Sequence, residues 1–289
     1  MRRGRWLCWL LAACFTLGCS AEARKERHMR RGERYFQEER YREAALEFQN
    51  ACKLAPRDVK AHYRLALCQL KLGDLRGAYR SLRRTVELDP GLLDAQVRLG
   101  SLLLLGGNLK EAAERARLVL ERDPDNADGH LLLASVHARQ GEQDKAIEEL
   151  KRVLELDPTR VSAYLSLSRL YWRRGERGRA EECLKRAKRA VPEDPRPRLA
   201  LAALYEATGR LQLAEAEYRQ LLRARPEESG PRLALAHFYL RTGRPQLAER
   251  TLQQAAHDLP KDPGPWLGLG DLYARLRRRA YRSPRPSQG

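Results

Sequence analysis

Apolar residues recur along this chain at helical spacing, within a unit whose length does not change. One leucine position is kept in six successive units, at Leu65, Leu99, Leu133, Leu167, Leu201 and Leu235. Prolines follow the same 34-residue period, at Pro56, Pro90, Pro124, Pro158, Pro192, Pro226 and Pro260. A fixed period of this length predicts a stack of small helical units that share one core, instead of one or two globular domains.

Other positions of the repeat predict two helices in each unit. Alanine stands twelve residues before every proline, at Ala44, Ala78, Ala112, Ala146, Ala180, Ala214 and Ala248. A small residue stands twenty-four before it, at Gly32, Ala66, Gly100, Ala134, Ser168, Ala202 and Ala236. Glycine stands seventeen before it in six units, at Gly73, Gly107, Gly141, Gly175, Gly209 and Gly243, and Glu39 replaces it in the first. Glycine favours the left-handed conformation that ends a helix and proline cannot continue one, so each unit has two helix stops, while the small residues allow close helix packing.

This combination of period, small residues, turn glycine and corner proline resembles the tetratricopeptide repeat family over residues 25–262. The resemblance implies an all-α fold, a tetratricopeptide-type α-solenoid of stacked antiparallel helix pairs that forms a right-handed superhelix. Seven helix pairs are expected in residues 25–262, followed by a partial eighth repeat or capping helix at 263–276. The run of arginines from Arg277 and the prolines behind it predict a basic disordered tail at 277–289.

The first residues carry the pattern of an export signal. Arg2, Arg3 and Arg5 precede an apolar run over residues 6–17, which is shorter than the roughly twenty residues that a membrane-spanning helix needs. The sequence therefore predicts a signal peptide at residues 1–18. Residues 16–19 resemble the lipobox of bacterial lipoproteins, which implies lipidation of Cys19 and a tether at residues 19–24. Ser20 stands where an inner-membrane retention signal has aspartate, so the expected location is the bacterial cell envelope, as an outer-membrane lipoprotein facing the periplasm; the alternative is a soluble periplasmic or secreted protein.

In the family, the first helix of each pair lines a concave binding surface. Carried onto this chain, that geometry nominates a partner-binding face of Tyr63, Arg64, Leu67, Lys71, Arg98, Arg139, Arg169, Trp172, Arg173, His237 and Arg241. Cations outnumber acids there, as they do in the whole chain, which has 56 Lys plus Arg against 38 Asp plus Glu. Guanidinium groups bind carboxylates in a bidentate manner, so the face predicts an acidic or extended protein partner; the alternative is that these arginines only solvate a helix face.

Sites for catalysis or metal binding are not predicted. The chain has no HExxH, no phosphate-binding GxxxxGK and no nucleophile elbow. His28, His62 and His130 share one repeat register, so they are expected to lie on separate helices and to have a packing role. We therefore expect no enzyme activity, no catalytic, cofactor or metal site, no cofactor and no small-molecule substrate. Cys52, Cys68 and Cys183 lie in apolar helical stretches, where buried packing is expected.

Three functional classes remain open from the sequence. The leading one is a protein–protein interaction scaffold tethered to the membrane by a lipid anchor, which recruits or positions partners for assembly of a surface structure. It resembles tetratricopeptide lipoproteins of the pilus-pilotin or the exopolysaccharide and exosortase-associated type. The second is an accessory non-catalytic subunit of an envelope enzyme complex. The third is a nucleic-acid-binding helical-repeat protein, which the export signal and the unbroken 34-residue period disfavour.

Overall fold

The computed structural model describes the backbone of residues 4–282 and the side chains of residues 21–277. All regular structure in that part of the chain is α-helical, which confirms the all-α prediction. The helices are α1 Gly4–Gln37, α2 Tyr41–Leu54, α3 Val59–Lys71, α4 Leu75–Leu88, α5 Leu93–Leu105, α6 Leu109–Arg122, α7 Ala127–Gln140, α8 Gln143–Leu156, α9 Val161–Arg173, α10 Arg177–Ala190, α11 Pro195–Ala207, α12 Leu211–Ala224, α13 Ser229–Arg241, α14 Pro245–Asp258 and α15 Pro263–Arg282. We call the odd-numbered helices first helices and the even-numbered ones second helices.

The turns within the pairs have the conformation that the glycines predict. All six turn glycines have φ between 73° and 84°, a region that a side chain rarely adopts. Glu39 stands at the same place in the first pair, also with a positive φ, of 58°. The predicted turn positions are therefore confirmed, and the glycines are kept there because the backbone requires them.

The core lies between the two helices of each pair and between neighbouring pairs. All seven alanines of the repeat register are completely buried, from Ala44 to Ala248. At Gly100, an added Cβ would lie 2.4 Å from Leu132 Cδ2. At Gly32 it would lie 2.7 Å from Phe48 Cε1. The small residues thus allow the close helix contacts that the sequence pattern predicts.

The chain divides into two compact units, Met1–Asp157 and Pro158–Gly289. Within each unit, consecutive helices pack on one another, and first helices of neighbouring pairs also contact each other, as α5 and α7 do in the first unit and α9 and α11 in the second. This arrangement places a row of first-helix side chains on one face of each unit.

In the second unit, polar side chains tie a second helix to the pair that follows it. At the junction of α10 with α11, the Tyr205 hydroxyl donates to Glu181 Oε1 at 3.0 Å, and Arg210 Nη1 donates to Glu181 Oε2 at 2.8 Å. The Arg210 guanidinium also lies 4.6 Å from the centroid of the Tyr205 ring. The same arrangement recurs one repeat later in Glu215, Tyr239 and Arg244, with distances of 2.9 and 2.7 Å. We call each three-residue set a junction bracket.

The two ends of the chain differ in part from the sequence prediction. α1 runs without a break from Gly4 to Gln37, so the predicted tether at 19–24 is helical; alanine, glutamate and arginine there favour a helix. α15 continues to Arg282, which corrects the predicted start of the tail at Arg277, because no glycine stops the helix and arginine propagates it. The side chains of the predicted signal peptide and of Cys19 lie outside the described residues, as do residues 283–289 of the predicted tail. None of the described helices is both long and apolar enough to span a bilayer.

Candidate functional site

The structure places every residue of the predicted face on a first helix. Six of them lie in the first unit: Tyr63, Arg64, Leu67 and Lys71 on α3, Arg98 on α5 and Arg139 on α7. Five lie in the second unit: Arg169, Trp172 and Arg173 on α9, and His237 and Arg241 on α13. Some of these side chains are already paired with other residues, and others are open to a ligand.

In the first unit, two of the four predicted cations form ion pairs with acids of the same unit. Arg64 forms an ion pair with Glu33. Arg98 Nε donates to the Tyr63 hydroxyl and to Asp94 Oδ2, at 3.0 Å in each case. These two arginines are therefore not free to bind an acidic partner, because acids one repeat back or one turn back neutralise them. Lys71 Nζ lies 5.9 Å from the Tyr41 ring centroid, Leu67 is half-buried, and Arg139 is exposed.

Arg241 on α13 is paired as well. Its guanidinium donates to both oxygens of Glu206, at 3.0 and 2.8 Å, and the Tyr218 hydroxyl donates to Glu206 Oε1 at 2.8 Å. Burial works to raise the pKa of Glu206, but the hydrogen bonds from Arg241 and Tyr218 hold it below its usual value. Burial and the same carboxylate raise the pKa of Tyr218 to about 12. This cluster holds neighbouring first helices together, while His237 beside it is exposed.

A cavity of about 420 Å³ opens on the face between α9 and α11. Its lining is Leu165, Ser168, Arg169, Trp172, Leu184, Arg196, Ala200, Ala203, Leu204 and Ala207. Trp172 is 36% exposed, so its ring forms part of the wall and is not a core residue. The volume falls in the range of roughly 300–1,000 Å³ that is usual for ligand pockets.

Two open cations of the predicted face lie on α9: Arg169 lines this cavity, and Arg173 follows it by one helical turn. Arg169 and Arg173 are exposed, and neither forms an ion pair or hydrogen bond with another side chain in the described part of the chain. Arg196, by contrast, is paired: its Nε donates to both carboxylate oxygens of Asp194, at 3.0 and 2.9 Å. The Arg177 guanidinium lies 5.6 Å from the Trp172 ring centroid. The hollow has an aromatic wall and the unpaired guanidinium group of Arg169 in its lining, and the unpaired Arg173 lies one turn further along the same helix. This arrangement suits an apolar side chain that is flanked by carboxylates.

Sequence reasoning missed part of this lining. The hollow exists because α11 presents Ala200, Ala203 and Ala207 on one side, at helical spacing, opposite Trp172. The repeated small residues were the available signal. Arg196 could not have been assigned from its residue type, since only the structure shows that it reaches the cavity while paired with Asp194.

Two histidines and the three cysteines have contacts or burial that fit a role in packing. His28 and His130 share one register, and their Nδ1 atoms lie 2.5 and 2.6 Å from Glu47 and Glu149 on the facing second helices, as a packing role predicts. Burial raises the pKa of the Cys68 thiol to about 12, and Cys68 is buried as expected. Cys183 is also buried, whereas Cys52 is half-buried. Within the described residues, no three His, Cys, Asp or Glu side chains cluster as metal ligands.

Comparisons with known proteins agree on one repeat family. Profiles described as tetratricopeptide repeat match residues 137–204, 205–276, 69–118 and 97–161, and a profile described as TPR repeat matches residues 32–73. Hsp70-Hsp90 organizing protein 3 of Arabidopsis thaliana is 35% identical over 65 residues, which is 22% of this chain and 12% of that protein.

Solved structures of similar fold include two proteins with pilus-type names. The structure of Pseudomonas aeruginosa pilF superimposes with a TM-score of 0.58 at 18% identity, covering 77% of this chain and 99% of that one. PilW, described as a widely conserved type IV pilus biogenesis factor, superimposes with a TM-score of 0.62 at 22% identity, covering 73% of this chain and 96% of its own. At these identities the likeness establishes the fold.

Proposed function

The chain belongs to the tetratricopeptide repeat family, and from that premise we propose that it is an interaction scaffold of the bacterial cell envelope, which recruits or positions partners for assembly of a surface structure. Helical repeats of this kind present extended faces to protein partners. The finer part of the proposal, the envelope and the surface structure, has two supports. They are the leader and lipobox pattern of the sequence and the fold shared with PilW.

The observation that carries the binding role is the cavity between α9 and α11. Its apolar walls can take up a bulky side chain, and burying one contributes roughly 1.5–3 kcal/mol. Arg169 and Arg173 lie one turn apart on α9 with no acid to neutralise them among the described side chains. We therefore propose an acidic, extended protein segment as the ligand of this face, held by carboxylate–guanidinium pairs on either side of an apolar anchor.

A charge-reversal variant tests the binding role. Arg169→Glu combined with Arg173→Glu repels an acidic segment, so crosslinking and affinity purification from the protein's own membranes should lose the wild-type partners. Arg223→Glu combined with Arg250→Glu is the matched control, since it makes the same charge change on second helices of the same unit. Equal capture by the Arg169 and Arg173 variant, with helicity unchanged, would contradict the assignment.

The proposed location is tested separately through Cys19. If its thiol carries the lipid, Cys19→Ala should move the protein from the outer-membrane fraction to the soluble periplasmic fraction and abolish labelling by a radioactive fatty acid. Unchanged fractionation of both forms as soluble protein would reject the lipid anchor and leave the interaction role intact. Partners that are lost only with the anchor would show that tethering is needed for assembly.

A further inference from the structure

A second apolar cavity, of about 600 Å³, lies in the first unit between α4 and the C-terminal end of α5. It is lined by Leu75, Arg76, Tyr79, Arg80, Leu102, Leu103, Leu105, Gly106 and Asn108. Leu105 is 62% exposed and Leu75 is 43% exposed, so leucine side chains that would normally be covered face solvent here. We call this surface the α4–α5 groove. Clustered exposed apolar side chains of this kind mark interaction sites in soluble proteins.

The junction of α4 with α5 lacks a bracket. Three repeats further along, the same register holds Glu181, Tyr205 and Arg210, which fill the junction of α10 with α11 and satisfy one another. In the first unit the corresponding residues are Tyr79, Leu103 and Asn108. Asn108 does not reach across to α4, since its amide donates to Glu111 Oε1 at 2.8 Å at the start of α6. A ring, a carboxylate and a guanidinium are therefore all missing from the place they occupy in the second unit.

Charge beside the groove is unbalanced. Arg76 and Arg80 are exposed one helical turn apart on α4, and neither pairs with any side chain that the structure describes. Farther along the same helix, Arg83 and Arg84 both pair with Glu87. Two acids beside the groove residues are also engaged: Asp74 accepts from the Gly77 N–H as a helix cap, and Glu111 accepts from Asn108.

We propose that the α4–α5 groove binds an acidic segment of a partner protein, which inserts a bulky apolar side chain into the cavity and pairs its carboxylates with Arg76 and Arg80. Such a segment supplies the apolar bulk and the carboxylate that the junction bracket supplies in the second unit. Two cations one turn apart match carboxylates that follow each other along a peptide, whereas the single carboxylate of a fatty acid would leave one of them unpaired. The groove involves a second helix, so the proposal does not rest on the cavity between α9 and α11.

Peptide selection on the whole protein tests the proposal. The probe is a phage-displayed library of random linear peptides, selected on the Arg169→Glu with Arg173→Glu variant so that the α9–α11 face does not contribute. The selected peptides are then synthesised and measured on the wild-type chain by fluorescence anisotropy. We expect binders that combine Asp or Glu with Phe, Leu or Trp. Their affinity should fall about tenfold or more in Arg76→Glu with Arg80→Glu, and in Leu105→Asp, because each replaces an attractive contact by a repulsive or polar one. The Arg169→Glu with Arg173→Glu variant should bind these peptides normally.

A filled-groove variant guards against effects of misfolding. Tyr79→Glu, Leu103→Tyr and Asn108→Arg together install the bracket of the second unit, so the variant should retain its helicity and melting temperature and lose the peptides. Peptides that bind the filled-groove variant or the charge-reversed variant as tightly as wild type would overturn the proposal. So would a selection whose binders carry no acidic residues, or a groove that takes up oleate and selects no acidic peptide.

Discussion

The junction of α10 with α11 and the junction of α4 with α5 occupy the same repeat register but carry different side chains. At the former, Glu181 accepts hydrogen bonds from both Tyr205 and Arg210. At the latter, Leu103 and Tyr79 leave a hollow beside two unpaired arginines. The comparison teaches that backbone register and surface function are independent in this chain. The residues at three positions differ between these two junctions, while the positions that set the helix spacing keep small residues.

The largest effect should come from removing the ring that closes a second-unit junction. Phe238 is completely buried, with ring centroids 5.3 Å from Tyr218 and 5.6 Å from Tyr239. We expect Phe238→Ala to lower the local free energy of opening by roughly 3–5 kcal/mol, because it leaves a cavity in a packed core. Leu102 holds the same register in the first unit but is half-buried at the groove, so Leu102→Ala should cost less than about 2 kcal/mol.

Native-state hydrogen exchange measures these two costs, because a repeat array opens locally and does not unfold in one step. Protection should fall over α12 to α14 in the first variant and over α4 to α6 in the second. Equal losses in the two variants would show that the groove is as well packed as the closed junction, which would remove the basis of the comparison.

The next largest effect should come from the bracket carboxylate. Glu215→Ala leaves the Tyr239 hydroxyl and the Arg244 guanidinium without their shared acceptor, at a cost of about 1–3 kcal/mol. Glu215→Gln keeps an acceptor oxygen and should lose only part of that amount. Hydrogen exchange at α12 and α13 reports the difference; identical behaviour of the two variants would mean that the charge, and not the acceptor, holds this bracket.

The fold followed from the sequence because its signals are local and repeated. A positive φ at Gly73 or Gly243 and the complete burial of Ala44 or Ala248 are fixed by backbone geometry, which the 34-residue period displays in every unit. α15 was the exception. It continues to Arg282 because no glycine or proline stops it earlier, whereas the prediction placed its end at the position where other units have their turn glycine.

The binding face was only partly predictable, because charge type does not reveal pairing. Arg64 and Arg169 have the same residue type on equivalent helices, yet Glu33 one repeat back neutralises Arg64 and nothing in the described structure neutralises Arg169. The α4–α5 groove gave no signal at all when each residue was considered alone. Comparing Tyr79, Leu103 and Asn108 with the residues at the same register three repeats later would have indicated it, but the meaning of that difference depends on the bracket geometry.

Acid should weaken the closed junction more than the open one. Burial raises the pKa of Glu181, but hydrogen bonds from Lys185, Arg210 and Tyr205 outweigh it and lower the pKa from 4.5 to about 2. A pKa lowered by folding adds stability that is fully present above pH 4.5 and disappears as the pH falls toward 2. The urea midpoint, followed by circular dichroism, should therefore fall between about pH 4.5 and 2, and less steeply in Glu181→Gln. Parallel slopes for the variant and the wild type would exclude Glu181 as a source of the acid sensitivity.

The smallest effect should come from an ion pair that closes no junction. Arg83 Nε donates to Glu87 Oε1 at 3.2 Å on the exposed side of α4, and Arg84 lies 3.4 Å from the other oxygen. Exposed pairs of this kind are typically worth less than about 1 kcal/mol, because water already solvates both charges and salt screens them. Glu87→Gln should accordingly change the opening free energy of α4 by less than Glu215→Gln changes that of α12. Since both variants remove one carboxylate charge from a second helix, a larger effect at Glu87 would mean that net charge, and not closure of a junction, sets the stability of these helices.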